Sequence, residues 1–211
     1  EENLWNYDGI EALASKYSII TAPIYNIHPY GIPNFLQTSY EHYCAEHYKY
    51  DIDLMLRIIK NKYPEHYIDS LRCLYSTQCF FGNILIMQRD IFDKYCEFIF
   101  SILSDVEKET NILNYDSYQK RIFGFLAERL SNIFIESVKS KNKNLKIFHA
   151  PMVYVNNGNI KLENAHIFNK KKNYIPREIN VEHGGKINIV MSFDDKYFSH
   201  ALATIESLLH N

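Results

Sequence analysis

No apolar run of about 18 residues occurs in this 211-residue sequence, so no membrane-spanning helix is expected from it, and no signal-peptide pattern is present. Basic charge is not in excess: 23 Lys and Arg stand against 25 Asp and Glu, a formal net charge of -2. That balance argues against nucleic acid as the main partner, because neutralising phosphates takes a clustered surplus of Lys and Arg. The one dense basic run is Lys170, Lys171 and Lys172, in polar surroundings. It reads as a solvated linker, with weak contact to anionic lipid, and so peripheral association with the inner membrane, as the alternative. Cysteine is scarce. Cys44, Cys73, Cys79 and Cys96 include no CxxC pair and no zinc-like pattern with histidine. Reduced, buried thiols of a cytoplasmic protein are the expectation. No repeat shows at periods of about 20–50 residues.

Aromatics are abundant, with 17 Tyr and 13 Phe. Together with frequent Lys, Asn and Ile, part of this reflects a bias toward A/T-rich codons. Tyrosine also stacks on sugar faces, so the excess is compatible with a carbohydrate site.

Apolar periodicity predicts a helix over residues 1–16 and a short strand at Tyr17 to Thr21, ended by Pro23. Residues 22–37, punctuated by Pro23, Pro29, Gly31 and Pro33, read as a loop long enough to serve a function. Thr38 or Ser39 caps a helix through His47. A second helix covers residues 51–62, with Ile52, Met55, Leu56 and Ile59 inward, and a third starts at Pro64. Residues 78–87 read as one buried strand kinked at Gly82. Asp90 is expected to cap the next helix, whose stretch from Phe92 to Phe100 is core with Glu97 exposed. After Asn114-Tyr115-Asp116-Ser117 a long helix is expected to about Val138, with Ile122, Leu126, Leu130, Ile133 and Phe134 as its stripe. Strands are expected at 146–148 and 152–155.

Residues 156–186, rich in Asn, Lys and Glu, form an expected linker after a first domain of residues 1–155. Residues 187–211 then look like a strand (Ile187, Ile189, Val190), a polar corner (Asp194, Asp195, Tyr197) and an amphipathic helix (Ala201, Leu202, Ile205, Leu208, Leu209). One strand and one helix cannot bury themselves, so a second α/β domain is expected to start here and be cut off. With Glu1 in first position, the expectation is a piece of a longer enzyme.

Within the long helix, Arg121, Gly124 and Glu128 share one side. Gly124 costs about 1 kcal/mol relative to Ala, so close approach of a backbone or a ligand should compensate. Arg121 suits a diphosphate leaving group, and Glu128 suits a base or an acceptor-orienting group. The alternative is helix packing at Gly124 with Arg121 and Glu128 as a surface ionic set. The four-motif series comes next: His47 shortly before Asp53-Leu54; Gly82-Asn83-Ile84-Leu85-Ile86-Met87; Phe92-x-x-Tyr95-Cys96-Glu97-x-x-Phe100; and Tyr118-Gln119-x-Arg121-x-x-Gly124-Phe125-x-x-Glu128-Arg129.

On these motifs the chain resembles the bacterial capsular and exopolysaccharide glycosyltransferases catalogued as domain of unknown function 4422. The resemblance implies a helix-rich α/β, GT-A-like (Rossmann-like) domain, here its C-terminal part. It implies sugar transfer from a nucleotide-sugar donor to a glycan or lipid-linked acceptor in the cytoplasm, at the inner face of the membrane. By position it places Asn83, Tyr118, Gln119 and Arg121 around a sugar pocket, with His47 and Asp53 nearby. His47 as a packing residue and Asn83 as a strand-bulge residue are the competing readings. The corner at Asp194, Asp195 and Tyr197 resembles the opening of family 8 glycosyltransferases, which implies nucleotide binding there; Lys196 departs from the usual Asn, and a plain helix cap is the alternative. No metal site or cofactor is evident, and divalent Mn or Mg stays open for a longer chain. A non-catalytic helical module of the assembly machinery is the alternative function.

Overall fold

The computed structural model describes residues 7–30, 32, 34–151, 153–156, 159–162 and 189–190. Their helices begin where the local chemistry says they should. After α1 (Tyr7–Lys16), the chain enters α2 (Ser39–Glu46) through Thr38. The Thr38 hydroxyl accepts the Glu41 N–H at 3.1 Å and the Glu41 carboxylate accepts the Thr38 N–H at 2.8 Å, a reciprocal capping box. Then come α3 (Lys49–Lys62) and α4 (Pro64–Leu74), with Pro64 in the first turn, where its missing N–H costs nothing. The last two are α5 (Arg89–Glu109) and α6 (Ile122–Lys141). A 3-10 turn, Gln119–Arg121, leads into α6, and Asp116 holds it by accepting the N–H groups of Tyr118 (2.9 Å) and Gln119 (2.8 Å).

The apolar stripes meet in one core. Ile52, Met55 and Ile59 of α3, Leu74 of α4, Ile102 of α5 and the full expected stripe of α6 are all buried. Each such side chain contributes about 1.5–3 kcal/mol on leaving water. The strands are β1 (Ile19–Thr21), β2 (Tyr25–Asn26), β3 (Gln78–Cys79), β4 (Leu85–Met87), β5 (Ile147–His149), β6 (Val153–Asn156), β7 (Asn159–Leu162) and β8 (Ile189–Val190). One sheet has the order β5-β1-β4-β8, with β1 parallel to β5 and antiparallel to β4. β2 pairs with β3, and β6 pairs with β7, which lies inside the segment read as a linker. The helix-rich α/β class is thus the observed one.

Three local expectations are corrected. Residues 78–87 are not one kinked strand. Gly82 takes φ +84, a left-handed conformation that glycine adopts without penalty, and it turns the chain so that β3 and β4 lie in different sheets. Gln88, not Asp90, occupies the N-cap of α5, without a side-chain bond; Asp90 sits in the first turn, where its charge suits the helix dipole. Phe98 is buried but Phe100 is 64% exposed, because it falls on the solvent side of α5. The corner at Asp194, Asp195 and Tyr197, the helix after it and most of residues 156–186 lie outside the described residues.

The core ledger predicts a contrast. Leu126→Ala should destabilise by about 2–5 kcal/mol through lost burial and a residual cavity, whereas Phe100→Ala should stay within about 0.5 kcal/mol. Urea unfolding of the two variants checks this, with equal midpoints as the contrary result.

Candidate functional site

At the junction of α2 and α6 a column of flat side chains forms. His47 closes the last turn of α2 by donating its N–H to the Tyr43 carbonyl at 2.8 Å. Its ring lies 3.9 Å from that of Phe125 at 17° and 5.7 Å from that of Tyr118 at 25°. The Arg121 guanidinium continues the arrangement, 5.2 Å from the Phe125 ring and 5.8 Å from the Tyr118 ring, favourable cation–π distances. Gln119 donates its amide N–H to the Glu46 carbonyl at 2.8 Å, which leaves its oxygen, 3.2 Å from His47 Nδ1, as an acceptor. The proton of a neutral His47 is therefore on Nδ1, and Nε2 keeps a lone pair. Burial pushes the His47 pKa down, and the Gln119 bond opposes that only partly. Four of the expected residues, His47, Tyr118, Gln119 and Arg121, are thus brought together by two elements far apart in sequence.

Glu128 lies farther along the same helix. Its carboxylate is 3.6 Å from Arg129 Nη1; burial raises its pKa, opposed by the Arg129 charge, the Gly82 backbone and the Arg121 charge. Asn83 is buried. Its amide donates to the Gly124 carbonyl at 3.4 Å, and its oxygen accepts from the Ser131 hydroxyl at 3.3 Å. A Cβ built on Gly124 meets no protein atom within 4 Å, so this glycine does not serve the close approach of another segment. Asp53 belongs to a different network: it accepts the Tyr40 hydroxyl at 2.6 Å and pairs with Lys49. Burial, then Asp53, pushes the Tyr40 hydroxyl up to about 12.

Two residues beside the column carry no role in the motif reading. Arg129 is 2% exposed, its guanidinium 5.5 Å from the Phe81 ring and 5.7 Å from the Tyr43 ring. It donates from Nη2 to His42 Nδ1 at 2.9 Å, while its buried Nε finds no protein acceptor. His42 is pushed down to about 4, by burial first and then by Arg129 and His47. A helical pattern marks 129 as adjacent to the core stripe, but nothing in the sequence pairs it with position 42, which is 87 residues away. All four cysteines are free, with Cys73 and Cys79 buried. Among the described residues no three His, Cys, Asp or Glu side chains form a group able to hold a metal, and no helix is long and apolar enough to cross a membrane.

The column, the Gly82 turn and the Glu128-Arg129 pair all fall within residues 1–142, and that span matches the family described as domain of unknown function DUF4422. The chain belongs to the DUF4422 family. The apo structure of WbbM, a bifunctional glycosyltransferase, matches this DUF4422 chain with a TM-score of 0.63 and 27% identity. The match covers 68% of this chain and 25% of that one, so this chain spans about a quarter of the length of the protein it resembles. A search of curated proteins finds no match.

The His42–Arg129 contact predicts an imidazole that stays neutral well into acid. Its folded pKa lies below the unfolded value of about 6.5, so between those values the unfolded chain binds more protons. This contribution to stability is therefore complete above about pH 6.5 and is lost as pH falls toward about 4. Imidazole NMR titration of the native protein should give His42 a midpoint near about 4; a midpoint at or above 6.5 would contradict the buried contact.

Proposed function

We propose that this chain is part of a bacterial glycosyltransferase of hexosyltransferase type, transferring a sugar from a nucleotide-sugar donor to a growing surface glycan of the capsular, exopolysaccharide or lipopolysaccharide kind. The supporting observation is the column that holds Arg121 and Tyr118 at the α2–α6 junction, in a fold shared at 27% identity with a bifunctional glycosyltransferase. As the bond from the sugar carbon to the leaving diphosphate breaks, negative charge collects on the phosphate oxygen. An exposed guanidinium fixed on two rings is preorganised to meet it, and such groups supply about 3–4 kcal/mol at the transition state. In this reading Glu128 takes the proton of the acceptor hydroxyl; its pKa is raised by burial, and a base works best when its pKa approaches the working pH. His47 and Gln119 hold the Tyr118 turn against α2, and Asn83 fixes the Gly82 turn beside Glu128.

In this reading the domain is GT-A-like, works in the cytoplasm at the inner face of the membrane, and is followed after residues 156–186 by a family 8-like domain in which Asp194, Asp195 and Tyr197 contact the nucleotide. Two transferases on one chain would keep an intermediate near the second site. Any divalent Mn or Mg would be held by residues beyond those described. The competing reading, a non-catalytic helical module, draws on Asn83 and Glu128 being engaged by the protein's own backbone.

Turnover separates the two. A longer protein carrying this domain, incubated with UDP- and GDP-sugars and a lipid-linked glycan, should release nucleoside diphosphate and extend the glycan, while the isolated 211 residues should be inert. A longer protein that neither binds nor consumes any nucleotide sugar would leave only the module reading.

A further inference from the structure

Between the end of α5 at Glu109 and the start of α6 at Ile122, the chain has little to hold it. Of residues 111–121 only Ile112, Tyr115 and Gln119 are half-buried; the others are exposed. Yet this stretch delivers Tyr118 and Arg121 to the column of rings. Ile112 packs on the rim of the core. Gln119 bonds to Glu46 and to His47 at the end of α2. Tyr115 reaches the other side of the corner. Its hydroxyl donates to Asp51 Oδ1 at 2.6 Å, and its ring lies 4.6 Å from that of Tyr48.

Asp51 stands in the first turn of α3 and is 1% exposed. A short bond from a hydroxyl to a carboxylate is stronger than a neutral one, and burial strengthens it further. The Tyr115 hydroxyl is pushed up, by burial first and then by Asp51, so it stays a donor. Next to Tyr115 is the residue that frames the turn. The Asp116 carboxylate accepts the Tyr118 and Gln119 N–H groups, and its carbonyl accepts the Lys120 N–H at 3.0 Å. The Arg121 N–H donates to the Tyr118 carbonyl at 3.1 Å. These bonds are internal to the turn, so they fix its shape and not its place. Its place against the helices comes from side chains that leave it. Ring contacts tolerate sliding, whereas hydrogen bonds are directional. The two hydrogen-bonded tethers are Gln119 toward α2 and Tyr115 toward α3.

We propose that Asp51 and Tyr115 are a positioning pair: their bond sets the turn at residues 116–121 so that the Arg121 guanidinium stands where the departing diphosphate needs it. The assignment of Arg121 to that diphosphate rests on the proposed function, whereas the coupling of Arg121 to Tyr115 does not. A group that acts on charge developing in the transition state has to be in place before the bond breaks. A displacement of about 1 Å in such a group costs on the order of 100-fold in rate. Neither Asp51 nor Tyr115 touches the reacting atoms in this scheme; both act through Arg121.

The test has two arms. In the 211-residue chain, NMR of the Arg121 side-chain protons reads the ring-current shift that the Phe125 and Tyr118 rings impose on them. Tyr115→Phe keeps the ring beside Tyr48 and removes only the hydroxyl. It should collapse that shift toward the random-coil value. Asp51→Asn keeps an oxygen to accept the hydroxyl and should preserve most of it. In a longer, active protein carrying this domain, Tyr115→Phe should lower the transfer rate about 10-fold to 100-fold at a temperature where it is fully folded. Added to Arg121→Ala, it should cost no further rate, because it acts only through Arg121. An unchanged Arg121 signal in Tyr115→Phe overturns the proposal. So does a wild-type rate in Tyr115→Phe beside a slow Arg121→Ala. A loss that adds in full to that of Arg121→Ala also overturns it, as the mark of general structural weakening. A collapsed Arg121 signal with a wild-type rate in Arg121→Ala would instead sink the transferase role of Arg121 and keep its coupling to Tyr115.

Discussion

The carboxamide of Asn132 is the fixed point around which this domain is arranged. It accepts the Phe80 N–H at 3.1 Å, donates to the Phe80 carbonyl at 2.9 Å and donates back to the Glu128 carbonyl at 2.8 Å. In a buried setting these bonds hold Phe80, which follows β3 and lies outside the β2–β3 ladder, and leaving them unmade would cost about 1–3 kcal/mol per orphaned group. Asn83, which donates to the Gly124 carbonyl and accepts from the Ser131 hydroxyl, extends the same lacing toward the start of α6. The turn at Gly82 is thereby pinned along one side of the helix while the opposite side packs the core. Phe81, carried by that turn, is set against His42 and Arg129, which joins α2 to the assembly.

Arg129 shows what this arrangement has to support. A guanidinium that is 2% exposed would be costly without compensation, and its compensation is distributed: two aromatic faces, one neutral imidazole, and a carboxylate at 3.6 Å. Burial, reinforced by this fixed charge, keeps His42 neutral, and the same charge opposes the upward shift of Glu128. Arg121, one helix start away and exposed, has the opposite character: it lies over rings and faces solvent. Two arginines of one motif thus differ in setting: Arg129 is enclosed within α6, and Arg121, in the 3-10 turn before it, lies over partly exposed rings.

Much of the helical frame was legible in the sequence because it rests on local chemistry. Thr38 three residues before Glu41, Pro64 in a first turn, and the recurrence from Ile122 to Phe134 each encode their own element. The stretch at 78–87 was not, because an apolar run looks the same whether it is one strand or two; Gly82 and its left-handed φ decide the matter, and the bonds that fix it come from residues 124–132. At the candidate site, the motif from Tyr118 to Arg129 covered the turn and helix on which the column of rings is built, and the resemblance to known transferases added His47, which the structure brings against them. Asp53, expected nearby, is tied to Tyr40 and Lys49 instead. The His42–Arg129 contact and the Asp51–Tyr115 bond escaped because both join helices whose mutual placement depends on tertiary packing, and no spacing rule reaches across 64 or 87 residues.

In the proposed transferase, Arg121 at the entry to α6 serves the reaction and the stripe from Ile122 to Phe134 serves stability. The most direct measurement is the transfer rate and melting temperature of Arg121→Ala in a longer, active protein containing this domain. The account predicts a rate loss of roughly 30-fold to 1000-fold, equivalent to about 2–4 kcal/mol at the transition state, with a melting temperature within about 2 °C of wild type. A wild-type rate, or a rate that falls only in step with the melting temperature, would contradict it.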